Sequence, residues 1–163
     1  MILTVVLIVI LCDILSKYLV VQLLVPLGTS VTVIPGILDF TFVKNRGAAF
    51  GMLSDSRWIF MTVSVIFISV LIYVLNKSLI THKLFNISVS LVLGGGIGNM
   101  IDRVFVGYVV DFIEVTFVKF AVFNIADSAI TLGAIGALVY FLFIDKTFFS
   151  FNKTNSEEDT SNE

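Results

Sequence analysis

The chain has 163 residues, of which 58% are hydrophobic and only 13% charged. Soluble domains carry about 45–50% apolar and about 25% charged residues, and an 18 kDa globule has too much surface for its volume to hide the excess. A water-soluble domain, a disordered chain and a disulfide scaffold are therefore disfavoured, and an integral membrane protein is expected.

The net charge of −2 arises in the tail. Residues 147–163 set Lys153 against Glu157, Glu158, Asp159 and Glu163, a net of −3, which leaves +1 on the other 146 residues. No basic stripe suits nucleic acid. A lone cysteine, Cys12, excludes an internal disulfide. A lone histidine, His82, disfavours a histidine metal site or a Ser-His pair.

A helix needs about 20 apolar residues to cross a bilayer. Four stretches qualify. The first, about 2–24, contains Asp13 and Lys17. It lacks the basic start and small-x-small cleavage site of a signal peptide, and Leu11 precedes Cys12 where a lipobox needs a small residue. It is read as a retained span. The opposite charges four residues apart can pair on one face, either to let the span insert or to serve a site.

Residues 26–57 follow as a long connection. Thr29 to Ile34 leads into Pro35-Gly36, and then Leu38, Phe40 and Phe42 alternate with Asp39, Thr41 and Val43. Period-two alternation about a Pro-Gly turn predicts a small hairpin or sheet. Asn45-Arg46-Gly47-Ala48-Ala49-Phe50-Gly51 comes next, with small residues for close backbone approach and an aromatic able to dip into lipid.

The second span, about 58–75, has no charge and reads as a packing helix; a short polar link precedes the third, about 84–101. Gly94 and Gly98 there form a GxxxG face for close helix packing. Packing does not account for Asn99 and Arg103, one turn apart on the same face. Asp102-Arg103 closes the span, and the lysine and Ser/Thr of a phosphate loop are absent.

Residues 103–121 form the second long connection, with Asp111 in Val110-Asp111-Phe112. The fourth span, about 122–144, carries Phe123-Asn124-Ile125-Ala126-Asp127. An acidic tail over 147–163 follows and is expected to be disordered.

Four spans put both termini on one side and both long connections on the other. The positive-inside count does not orient them. Lys44, Arg46, Arg57, Arg103 and Lys119 lie on one side, and Lys77, Lys83, Lys146 and Lys153 on the other. Depth is more informative. At about 1.5 Å per residue, Asp13 stands about 17 Å, Lys17 about 23 Å, Asn99 about 22 Å and Asp127 about 25 Å above the terminus side. Polar groups from three spans thus gather in one half of a core about 30 Å thick, which points to a polar cavity under the long connections.

Two aspartates in one dry site share a proton, with their pKa values pushed apart, and such a pair activates water. Asp111 and Asp127 suit this, while Glu114 is a rival partner by spacing. Asp127 alone is also a candidate helix cap.

Taken in order, Asp13-x-x-x-Lys17, Asn45 to Gly51, Gly95-Gly96-Ile97-Gly98-Asn99-Met100-Ile101-Asp102-Arg103, Val110-Asp111-Phe112 and Phe123 to Ser128 resemble the lipoprotein signal peptidase family, also called signal peptidase II, over about residues 10–144. The resemblance implies an all-α membrane protein of four transmembrane helices, with a small extracellular β-cradle and a loop or helix covering the site. It implies a bacterial inner-membrane aspartic peptidase that cuts prolipoproteins before their lipid-modified cysteine. Its dyad falls on Asp111 and Asp127, and its supporting residues on Asp13, Lys17, Asn45, Gly95, Asn99, Arg103 and Asn124. It orients the chain with both termini in the cytoplasm and the site toward the outer leaflet. The partners implied are the prolipoprotein and membrane lipids, with no nucleic acid; the chain is expected to be a monomer needing no metal or other cofactor. The rivals are a proton- or ion-coupled transporter, since intramembrane Asp and Lys also serve relays, and a noncatalytic scaffold using the glycine face.

Overall fold

The computed structural model describes residues 1–28, 30–47, 57–77 and 80–145. Residues 48–56 of the long connection 26–57, with Phe50, the aromatic expected to dip into lipid, and the acidic tail 147–163 lie outside the described residues. Among the described residues, four helices are long and apolar enough to cross a membrane. They are α1 (Ile2–Leu27), α2 (Arg57–Asn76), α3 (Lys83–Phe105) and α4 (Ile125–Val139), the last continued by a π-helical turn, Tyr140–Ile144. Three strands, β1 (Val31–Ile34), β2 (Leu38–Asn45) and β3 (Val109–Val115), form an antiparallel sheet in the order β1-β2-β3.

The hairpin forms where the sequence predicts it. Pro35 and Gly36 occupy the centre of a turn closed by Ile37 N–H donating to Ile34 O at 3.0 Å. Gly36 has φ 71°, the left-handed value that a type II turn requires after proline. Phe40 and Phe42 of β2 pack with Val20 and Leu24 of α1 and Val110 and Phe112 of β3, so the sheet is seated on the end of α1.

Three boundaries differ from the sequence reading. Helix α3 continues past 101 to Phe105, so Asp102 and Arg103 lie in its last turn. Its end is set by Val106 and Gly107, whose N–H groups both return to Asp102 O, and by Gly107 at φ 89°. The chain then reverses, and residues 103–121, expected as a loop, supply β3. Helix α4 starts at Ile125, not 122, because Asn124 is its N-cap and Phe123 is bridged to Ile113.

Helix α3 is central and packs against α1, α2 and α4. The outer helices leave large apolar side chains exposed, such as Ile66 and Phe67 on α2 and Leu15 and Leu19 on α1. A bilayer covers that surface, and the chain is a multi-pass membrane protein.

Glycines set how close the helices come. A Cβ on Gly94 would meet Val9 Cβ of α1 at 2.9 Å, and one on Gly98 would meet Asp13 Oδ2 at 2.7 Å. A Cβ on Gly95 would run into Ala126 O at the start of α4, whereas at Gly96 the nearest atom is Ile68 Cγ1 at 3.7 Å. One substitution at adjacent positions therefore has opposite consequences. Gly95→Ala should lower thermal stability in detergent by about 1–3 kcal/mol through overpacking. Gly96→Ala should be neutral or stabilising by up to about 1 kcal/mol, since it removes a helical glycine. Equal effects would contradict this packing.

Candidate active site

The site is built around a buried lysine. Lys17 Nζ donates to Asn99 Oδ1 at 3.0 Å and forms ion pairs with Asp13 Oδ2 at 2.7 Å and Asp102 Oδ2 at 3.0 Å. Asp13 and Lys17 do pair on α1, as their spacing predicts. Asp13 does more, since its Oδ1 accepts the Ala126 N–H of α4 at 2.9 Å. Gly95 and Gly98 are what let that end of α4 and Asp13 approach α3.

Asn99 carries the network outward. With its Oδ1 turned to the ammonium, its Nδ2 must point away, and it donates to Asp127 Oδ1 at 2.7 Å. Asn99 Oδ1 also accepts from Asn124 Nδ2 at 3.2 Å. Asn124 is fully buried; its Nδ2 donates to Asp111 Oδ1 at 2.7 Å, and its Oδ1 accepts the Asp127 N–H at 2.9 Å. Asp127 Oδ2 in turn accepts the Asn124 N–H at 3.2 Å. This reciprocal capping box bears out the cap reading of Asp127 and leaves its Oδ1 to Asn99.

Asp111 is held from the sheet. β2 and β3 pair with Val43 opposite Asp111 and Asn45 opposite Val109, and Asn45 Nδ2 reaches Asp111 Oδ2 at 2.8 Å. Gly47 N–H, donating to Asn45 Oδ1 at 2.9 Å, fixes which way that amide faces. On the other edge of β3, Phe123 O accepts the N–H groups of Phe112 and Ile113 at 3.0 and 2.8 Å. Each aspartate thus has both oxygens engaged by N–H donors.

A cavity of about 530 Å³ opens on the two carboxylates, lined by Asp111, Asp127, Asn45 and Arg103 and walled by apolar groups including Phe120, Phe123 and Leu132. Arg103 donates to Asn99 O at 3.2 Å, and its guanidinium stacks 5.5 Å from the Phe60 ring centroid. Asp111 is 2% exposed, and this burial pushes its carboxyl up to about 6. The Asn45 hydrogen bond opposes the rise, the neighbouring Asp127 charge adds to it, and Asn124 and Lys17 moderate it.

All nine residues singled out in the sequence are therefore brought together, with Gly95 contributing closeness, not a polar group. Glu114, the rival carboxylate, is an odd number of residues from Asp111 on β3 and lines a separate cleft over residues 114–120. Asp102, Ser128 and Thr131 are not among the site residues expected from the sequence. These last two line the cavity, and their positions one and four residues after Asp127 were the available signal.

The chain matches the family described as signal peptidase (SPase) II over residues 5–143. It belongs to the signal peptidase II family. It is also similar to a bacterial membrane enzyme solved by the in meso method at 2.3 Å resolution, with 32% identity, TM-score 0.81 and coverage of 90% of each chain. A second bacterial membrane enzyme, solved by the same method at 1.9 Å, matches with 33% identity and TM-score 0.79 over 88% of this chain and 93% of that one. As a member of this family the chain is a peptidase.

The raised Asp111 carboxyl has a consequence for stability. Its ordinary value is 3.8 and its folded value about 6, so between these the folded state binds more protons than the unfolded one. Stability then falls as pH rises through that window. Thermal unfolding in a neutral detergent should show this loss between about pH 4 and 6, and Asp111→Asn should lack that component. A wild-type slope unchanged by the substitution would contradict it.

Proposed function

We propose that this chain is an intramembrane aspartic endopeptidase that removes the signal peptide from prolipoproteins immediately before the diacylglyceryl-modified cysteine. One observation carries the reading: Asp111 and Asp127 open onto the same cavity, with apolar walls around a polar floor. A substrate with an apolar signal helix and two acyl chains stays in the bilayer, so the peptidase must meet it there.

The carboxyl with the raised value, Asp111, holds the shared proton, and Asp127 is the base. Asp127 takes a proton from water as the water oxygen attacks the scissile carbonyl carbon, and Asp111 gives its proton to the carbonyl oxygen. The tetrahedral diol then collapses. One hydroxyl returns its proton to Asp111, the leaving nitrogen takes the proton from Asp127, and the C–N bond breaks. Asn99 and Asn124 hold the carboxylates, and Arg103 faces the cavity where substrate carbonyls bind. The mechanism uses no metal or organic cofactor. The enzyme then acts as a monomer, and the family resemblance orients it with both termini cytoplasmic and the cavity toward the outer leaflet.

Purified protein in detergent, given a diacylglyceryl-modified prolipoprotein and read by gel shift, should cleave it. Asp111→Asn and Asp127→Asn should each reduce cleavage by about 10⁴-fold or more while the protein still inserts and folds, and a zinc chelator should change nothing. Absence of cleavage by folded wild type defeats the reading, as does inhibition by the chelator. Survival of function in Asp111→Asn would favour an ion-coupled transporter instead.

A further inference from the structure

Asp102 is 8% exposed and sits in the last turn of α3. A carboxylate there faces the negative end of the helix dipole, where a cation is favoured. Insertion of Lys17 does not require it, since Asp13 already pairs with that ammonium at 2.7 Å. What Asp102 adds is a second contact: its Oδ2 accepts the Val110 N–H at 3.1 Å while meeting Lys17 Nζ at 3.0 Å. Val110 is the residue before Asp111. The reversal at Gly107, φ 89°, is what brings that N–H back to the helix end.

We propose that Asp102 is a positioning residue for Asp111: it pins β3 at Val110 and balances Lys17, so that Asp111 is held in place and keeps its proton. This rests on the peptidase reading. β3 is pinned on both sides of Asp111, by Asp102 at Val110 and by Phe123 O at Phe112 and Ile113. Losing the first pin frees one flank of the carboxylate, and a displacement of about 1 Å costs about 10²-fold in rate.

The charged and polar groups that act on Asp111 are Lys17 from α1, Asn45 from β2, Arg103 from α3, and Asn124 and Asp127 from α4. Lys17 favours the ionised form of Asp111. Asp102 offsets Lys17 from behind, so removing its charge strengthens that pull and lets Asp111 lose its proton at lower pH.

Asp102→Asn keeps an oxygen for Val110 N–H but loses the charge; Asp102→Ala loses both. Both are assayed in detergent with the diacylglyceryl-modified prolipoprotein beside wild type and Asp111→Asn, at equal folded fraction by thermal unfolding. The alkaline limb of the kcat/KM profile should move to lower pH by about half a unit or more in Asp102→Asn. In Asp102→Ala, kcat should fall about tenfold or more with KM within about twofold. If Asp102→Ala does not fold, the limb in Asp102→Asn decides. A limb that stays or moves upward, or a loss confined to KM, overturns the proposal while Asp111→Asn remains inactive. Cleavage by Asp111→Asn, or none by wild type, overturns the peptidase reading and the proposal with it.

Discussion

An ammonium buried in a membrane-spanning helix is the constraint on which the rest of this structure depends. Removing such a charge from water costs several kcal/mol, recovered only when every donor is met in good geometry. Lys17 meets Asp13, Asn99 and Asp102, one on its own helix and two on α3. Those contacts fix α1 against α3 in depth and rotation. Because Asn99 is committed at its oxygen, its amide group is left to hold Asp127. Because Asp102 is committed to Lys17, it presents an acceptor to β3. The charge thus orients groups on both sides of the cavity without lining it.

Such closeness needs backbones with nothing between them. Gly98 leaves room for the Asp13 carboxylate, and Gly95 leaves room for the first turn of α4. Small residues pack helices in lipid, where no hydrophobic force drives them together. Here the same glycines also let the Asp13 carboxylate reach a backbone N–H of the neighbouring helix, at Ala126. The sheet does the corresponding work from outside the spans. Its core contacts with Val20 and Leu24 seat it on α1, and its register with Asn45 beside Asp111 completes the proposed dyad.

Much of this was legible in the residues. Scarce charges inside apolar spans are conspicuous, and helical rise alone placed Asp13, Lys17, Asn99 and Asp127 in one half of the bilayer, where an ion pair and hydrogen bonds connect them. The Pro-Gly hairpin was legible because Phe40 and Phe42 alternate against a half-exposed face. Strand β3 was not. Val109, Val110, Asp111 and Phe112 are all buried, so no two-residue alternation marks them. The start of α4 was misplaced because Phe123 is as apolar as a helix residue, yet its backbone is bridged to Ile113. Asp102 was given no site role because a charge at a span end reads as a boundary marker; only the turn at Gly107 reveals that it faces inward. Pairing Asp111 with Asp127 and not Glu114 came from the family resemblance; Asp111 and Asp127 line one cavity, and Glu114 lines another.

The Lys17 network holds Asp111 and Asp127 at one cavity, and burial keeps the Asp111 carboxyl protonated to higher pH. The pH dependence of kcat/KM for wild-type cleavage of a diacylglyceryl-modified prolipoprotein tests it most directly, because it reports the groups of the free enzyme. Activity should be lost on the alkaline side at about pH 6, where Asp111 loses its proton. A profile that only rises with pH, with no loss of activity on the alkaline side, would contradict it.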